Sequence, residues 1–369
     1  MLMQQTRKVL VGHTSWDNEP VMFPVRYYGN TLILARARYG KTTIAKIIAC
    51  AVSEFRPLII IAPYFDTDDW YGLKYLNRNA EYKKCIPFLK CINNFSIKLS
   101  RFKDYSDWVS LGFPDVASQL ITQFAKIKKL HNDDPEIFAE FLVKLPKTDK
   151  ELENFNITFA KYNINLPSRI ADATHQSINL RFNLVKHLFW FPKDERHSVD
   201  DFGKIVALNP HVLIDLEEDN EYKSRAYVGI ILKDIKEYLK QLQPLLIIDE
   251  ADKVAPDVRD LIYYPSSLNE IMEYKNKYQR LGVNMILCTQ DPGLLFHDLK
   301  INPDFIITGQ IETQMPGLSR ELLDKIYYDP DKNIRNFMLL NENRSYTIFK
   351  PLKCPCMLRS LKEVWDGKL

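Results

Sequence analysis

The chain has 369 residues, of which 46% are hydrophobic and 26% charged, an ordinary globular composition that excludes disordered, collagen-like and disulfide-scaffold classes. Fifty Lys and Arg against 47 Asp and Glu leave a net charge of +3, which excludes a globally basic, histone-like protein but not a local basic groove. There are only 12 glycines, where average usage would give roughly 26, so each one is worth locating.

In chain order, Met1–Val11 carries Gln4, Gln5, Arg7 and Lys8 and lacks an apolar stretch of signal-peptide length. The longest apolar runs fall far short of the roughly 20 residues that span a bilayer, so a cytoplasmic protein without a transmembrane segment is expected. Thr31–Ala35 reads as a short buried strand, Arg36–Thr43 as a loop and Ile44–Ser53 as a helix. Pro57–Tyr64 is a second buried strand, with Asp66 just past its end. From residue 67 to 202 the chain becomes aromatic and lysine-rich, broken by prolines and without glycine between Gly112 and Gly203. This reads as a mainly helical insertion, and its basic stretch Phe124–Lys129 as a solvated helix face.

Alternation resumes with strand His211–Leu216, helix Arg225–Leu242, strand Leu245–Glu250, helix Leu268–Leu281 and strand Val283–Gln290. Phe305–Thr308, Phe337–Leu340 and Ser345–Phe349 complete the set. The alternation predicts an α/β fold with a mostly parallel sheet flanked by helices and a C-terminal antiparallel hairpin. The expected division is an N-terminal segment 1–27, a core in two parts (28–66 and 203–350), the insertion 67–202 and a tail 351–369. The six cysteines read as reduced thiols, because Cys354-Pro-Cys356 with Cys85 and Cys91 lacks zinc-ribbon spacing.

Between the first strand and helix, Ala35, Arg36, Ala37, Arg38, Tyr39, Gly40, Lys41, Thr42 and Thr43 have the spacing of a phosphate-binding loop, with alanine where the first glycine normally stands. Such a loop cradles ATP phosphates on backbone N–H groups, Lys41 neutralises the β/γ charge, and the Thr42 hydroxyl holds Mg²⁺. An alanine at a position needing positive φ costs on the order of 1 kcal/mol. Asp249 and Glu250 follow a buried strand as adjacent carboxylates, Asp249 suited to Mg²⁺ and Glu250 to orienting and deprotonating an attacking water. Gln290, at the tip of another strand, is placed to sense the γ-phosphate or hold the water, with a strand-end residue in the turn Asp291-Pro-Gly293 as the equally simple alternative.

Gly-Lys-Thr, then Ile-Ile-Asp-Glu-Ala, Arg-Leu-Gly-Val and Met-Ile-Leu-Cys-Thr-Gln-Asp-Pro, in that order, resemble the HerA/FtsK superfamily of RecA-like P-loop ATPases. The resemblance implies a ring, most simply a hexamer, that hydrolyses Mg-ATP and moves double-stranded DNA. Viral genome packaging, with a capsid or portal component, and mobile-element transfer, with a secretion-complex component, are its expected settings; a cellular HerA-like motor is the alternative. The resemblance also implies that Arg320, in Ser319–Asp324, reaches the γ-phosphate of a neighbouring subunit, with Arg280 as second candidate. Lys275, Lys277 and Arg280 are candidates for the DNA-facing surface, although a solvated helix is the simpler reading of them. Asp291 stands where these motors often carry arginine. Two further readings are a nucleotide-dependent assembly factor and a small-molecule kinase with the insertion as its lid; Glu250 beside Asp249 argues against the kinase.

Overall fold

The computed structural model describes residues 7–356 apart from 26–28, 64–67, 81–82, 126–134, 161–164, 167, 190–196, 217–219, 258–263, 278–281, 302, 314, 317, 327, 330–333 and 342. Asp66, Arg280, Gly317 and most of the Phe124–Lys129 patch therefore lie outside the described residues.

Eleven strands build one sheet. They are β1 (Arg7–Thr14), β2 (Pro20–Val25), β3 (Gly29–Leu34), β4 (Leu58–Ala62), β5 (Lys90–Ile92) and β6 (His211–Asp215). After them come β7 (Leu245–Ile248), β8 (Asn284–Thr289), β9 (Phe305–Thr308), β10 (Phe337–Leu340) and β11 (Tyr346–Pro351). Their spatial order is β2-β1-β11-β10-β9-β3-β8-β7-β4-β6-β5. Every neighbouring pair from β9 to β5 is parallel, whereas β10, β11, β1 and β2 extend the sheet antiparallel. The apolar runs explain the arrangement: β3, β4, β7, β8 and β9 are buried along their whole length, as strands covered on both faces must be. By contrast, β2 alternates buried Val21, Phe23 and Val25 with more exposed neighbours, the pattern of a strand solvated on one face.

Two additions to the sheet were not expected. Residues 1–27 read as a segment outside the core, yet Arg7–Thr14 and Pro20–Val25 pair with each other and with β11. Lys90–Ile92, inside the insertion, pairs with β6; three residues are too few to show a periodicity.

The helices of six or more residues are α1 (Lys41–Val52), α2 (Tyr105–Ser110), α3 (Asp115–Ala125), α4 (Pro135–Val143), α5 (Asp149–Phe159), α6 (Asp172–Val185), α7 (Phe202–Leu208), α8 (Glu221–Ile235) and α9 (Ser266–Asn276). Helix α8 begins before the expected Arg225 because the Asn220 side chain accepts from the N–H groups of Tyr222 (2.9 Å) and Lys223 (3.2 Å), a cap for its first turn. The insertion is packed directly on this helix. Trp108 stacks on Phe138 at 6.0 Å, Phe102 meets Phe189 edge-on at 4.9 Å, and the Tyr227 hydroxyl of α8 accepts from Ile97 N–H at 3.1 Å. Lys233 of α8 adds ion pairs to Asp104 (2.6 Å) and Asp107 (2.8 Å). Residues of the 67–202 stretch and the sheet thus share one hydrophobic core.

Among the described residues no group of three or more His, Cys, Asp or Glu is arranged to hold a metal. No helix among them is long and apolar enough to cross a membrane.

Helices α8 and α9 approach each other at Gly229, where a Cβ would lie 2.6 Å from Ser266 Cβ and 2.9 Å from the Ser267 backbone nitrogen. Alanine normally improves a helix interior by up to about 1 kcal/mol. Here overpacking against backbone is expected to dominate, and Gly229→Ala should lower the unfolding free energy by about 1–3 kcal/mol in urea denaturation.

Candidate active site

The site lies beyond the C-terminal ends of β3, β7 and β8, the edge where parallel α/β sheets bind ligands. Because β8 lies between β3 and β7, the residues after these three strands converge. The loop after β3 is stitched to its neighbours by backbone bonds: Ala35 N–H to Thr289 O (3.3 Å), Arg36 N–H to Gln310 O (2.7 Å) and Gly309 N–H to Leu34 O (2.7 Å).

Ala35 is fully buried and does not have positive φ, so the motif's missing first glycine imposes no backbone strain here. The left-handed positions are Arg38 (φ 61°) and Gly40 (φ 111°) instead. Tyr39 fixes the loop between them: it is buried, donates its hydroxyl to Asn336 O at 3.0 Å and meets Phe337 edge-on at 5.3 Å. Arg36, Ala37 and Arg38 are exposed at the crown, while Thr42 and Thr43 are half-buried in the first turn of α1. That turn has neither a side-chain cap nor an acidic residue, which leaves its N–H groups and positive dipole end for an anion.

Lys41, at the start of α1, is buried and turns its ammonium to Glu250 Oε1 (2.5 Å) and Asp249 Oδ1 (3.4 Å). Burial works against the ammonium, but the charges of Asp249 and Glu250 outweigh it and hold Lys41 above its ordinary range. Burial pushes the Glu250 carboxyl up, opposed by Lys41 and reinforced by Asp249. Glu250 has left-handed backbone (φ 45°, ψ 48°), a strained conformation for a residue with a Cβ, and it follows the strand end rather than continuing it. Gln290 completes the cluster by donating Nε2 to Glu250 Oε1 at 2.7 Å.

Lys41, Asp249, Glu250 and Gln290 are therefore brought together. Arg320 is not: it opens the one-turn helix Arg320–Leu323, is exposed, and no hydrogen bond or ion pair among the described residues joins it to these four. Two candidates for a DNA-facing surface are engaged elsewhere, Lys275 with the carbonyls of Asp298 and Ile301 and Lys277 with Glu273 (3.3 Å).

Several contacts had not been anticipated. The Trp70 indole donates to Asp249 Oδ2 at 2.8 Å, and Thr289 donates its hydroxyl to Asp252, both buried. Asp291 accepts from Gly293 N–H and the Thr313 hydroxyl, each at 2.7 Å, so the departure from the motor pattern is a tie to the segment leading towards Arg320. Asp252 stands within the Asp-Glu-Ala-Asp string and was open to notice, whereas Trp70 is a single aromatic with no motif around it.

Asp249 and the Thr42 hydroxyl offer the hard oxygen donors that Mg²⁺ prefers, and so few protein ligands suit an ion that keeps its waters and binds largely through phosphate.

No family model matches the chain, and no curated protein matches it. Among solved structures, VirB4 of Thermoanaerobacter pseudethanolicus superposes with a TM-score of 0.58 over 93% of this chain and 96% of that one, at 14% identity. The chain shares the fold of that VirB4, a large and mostly parallel sheet flanked by helices. The bacterial conjugative coupling protein TrwB shares this fold, with a TM-score of 0.54 over 94% of this chain and 82% of that one, also at 14% identity. The genome-packaging NTPase B204 of Sulfolobus turreted icosahedral virus 2 overlays at 0.40 and 13% identity over 88% of this chain and 97% of that one, too loosely to carry weight. At such identities the likeness is one of fold, and the chemistry rests on side-chain geometry.

If Ala35 is relaxed, Ala35→Gly should bring no gain in ATP affinity and should cost about 0.5–1 kcal/mol of stability through added freedom of the unfolded chain. Isothermal titration and thermal unfolding check both.

Proposed function

We propose that this protein is a Mg²⁺-dependent ATPase that assembles as a ring, most simply a hexamer, and drives double-stranded DNA through it, in mobile-element transfer or viral genome packaging. The supporting observation is the cluster of Lys41, Asp249, Glu250 and Gln290 beside the uncapped N-terminus of α1. In this reading residues 28–66 and 203–350 form the motor core and 67–202 an insertion, working in the cytoplasm of the cell or host. A capsid, portal or secretion-complex component is the expected protein partner.

Triphosphate oxygens entering between the loop and α1 compete with Glu250 for the Lys41 ammonium. Once released, Glu250 can accept a hydrogen bond from water, while Gln290 keeps its carboxylate aimed. Water oxygen then bonds to the γ-phosphorus, the bond to the β–γ bridging oxygen breaks, and the proton passes to Glu250. Mg²⁺ held by Asp249 and Thr42 would supply charge neutralisation on the phosphate oxygens. Arg36 and Arg38, exposed at the loop crown, add positive charge on the approach side. Arg320, exposed and without a described bond to its own cluster, is suited to act on the site of a neighbouring subunit, and Arg280 is the second candidate for that role.

The test is ATPase activity with and without duplex DNA. DNA should stimulate turnover, whereas a slow, DNA-independent rate would favour an assembly factor. Glu250→Gln should lower kcat by about 10²–10⁴-fold with ATP binding retained, and Lys41→Ala should abolish binding. Normal hydrolysis by Lys41→Ala would end the assignment.

The trans role of Arg320 has its own test. Arg320→Ala and Lys41→Ala proteins, each inactive alone, should regain part of the wild-type rate when mixed into common rings, because some interfaces pair an intact Lys41 with an intact Arg320. No recovery in rings shown by native mass spectrometry to be mixed would remove the proposal.

A further inference from the structure

Trp70 lies on the one-turn helix Asp68–Tyr71, at the start of the region that carries no recognised motif. Its side chain is fully buried and its indole N–H reaches Asp249 Oδ2 at 2.8 Å. The other oxygen of the same carboxylate accepts from Glu250 N–H at 3.0 Å and lies 3.4 Å from the Lys41 ammonium. Packing alone does not require the Trp70 bond. Trp108 is equally buried, and its indole nitrogen has no hydrogen-bond partner among the described residues. Of these two buried indoles, the one with an acceptor finds the carboxylate at the centre of the charged cluster.

We propose that Trp70 is a positioning residue for the cation site, holding Asp249 in the rotamer that presents Oδ1 to the water shell of Mg²⁺. This rests on the reading of Asp249 as the Mg²⁺ carboxylate. The chemistry of the donor is suited to the task. An indole N–H is a neutral, rigid, donor-only group. A lysine there would repel the incoming cation, and a hydroxyl could turn its own lone pairs towards the metal. The indole instead occupies Oδ2, stays out of coordination and fixes the direction of Oδ1. Partners that orient a metal's ligands are typically worth 10–100-fold in metal affinity.

The experiment measures the Mg²⁺ concentration for half-maximal ATPase at saturating nucleotide, for wild type, Trp70→Phe and Asp249→Asn. Trp70→Phe should raise it about 10-fold or more while kcat at saturating Mg²⁺ stays within about 3-fold, a split that general loss of packing would not produce. Asp249→Asn separates the two ideas. If it leaves the Mg²⁺ dependence unchanged, the reading of Asp249 fails and this proposal with it. If Asp249→Asn raises the requirement and Trp70→Phe does not, only the role of Trp70 is overturned.

A second readout needs no turnover and no change of volume. Replacing Trp70 by benzothienylalanine exchanges N–H for sulfur in the same bicyclic frame. In ¹⁵N-indole spectra of the five-tryptophan wild type, the resonance missing from that variant is that of Trp70, and it should shift when Mg²⁺ is added to the ATP-bound Glu250→Gln protein. An unmoved Trp70 resonance at saturating Mg²⁺ would also overturn the proposal.

Discussion

Burying the Lys41 ammonium between two carboxylates is the constraint on which the rest of this structure depends. An unpaired charge at that depth is prohibitive, and removing one partner from a buried pair typically costs about 3–5 kcal/mol. Lys41 belongs to the helix after β3, and Asp249 and Glu250 follow β7. The two groups meet because β8 alone separates those strands, and the residue after β8, Gln290, then lands on Glu250 as well. Strand order is thus a condition of the site's electrostatics. The fully apolar character of β3, β7 and β8 keeps that order by leaving each strand nowhere to go but the middle of a covered sheet.

Two strained backbone positions aim the charges. Glu250 and Arg38 both have left-handed φ, at 45° and 61°, and neither is glycine. Such strain costs on the order of 1–3 kcal/mol per residue and persists only when surroundings over-determine it. For Glu250 the surroundings are the Lys41 and Gln290 bonds to its carboxylate. For Arg38 they are the buried Tyr39 ring and its hydroxyl bond to Asn336 on one side, and the Arg36 bond to Gln310 on the other.

What could be read from the sequence follows the range of each signal. Gly40-Lys41-Thr42, Asp249-Glu250 and Thr289-Gln290 are contiguous, and each sits where an apolar run ends, so local pattern located all three and the sheet around them. The α/β class followed from the alternation that frames them. Trp70 escaped because its meaning comes from a carboxylate far along the chain, and β1, β2 and β5 because short or half-exposed strands acquire their role only through a partner. Ala35 was read as the weak point of the loop because a motif records residue types and not φ. Here the left-handed turns fall at Arg38 and Gly40, and alanine fits. Asp291 was likewise read only as a departure from the motor pattern, and its side chain bridges Gly293 and Thr313.

If the protein works as the proposed ring, the charge of the cluster bears on why a single subunit would be incomplete. One ammonium against two carboxylates leaves Lys41, Asp249 and Glu250 with a net charge of −1, and a magnesium nucleoside triphosphate brings about two further negative charges. The amino end of α1 contributes roughly half a positive charge. Under the proposed ATPase reading Lys41 cannot fully serve Glu250 and the phosphates together, so positive charge would have to come from outside the cluster as hydrolysis loads the γ-phosphate. Among the described residues, Arg36 and Arg38 at the exposed loop crown belong to the loop itself, and exposed charges are screened by water and salt. A guanidinium enclosed by a subunit interface escapes that screening. Arg320 stands exposed on its own short helix, and Asp291, beside Gln290, is tied to Thr313 earlier in the same segment. An interface closing over Arg320 would therefore join the missing charge to the strand end that contacts Glu250.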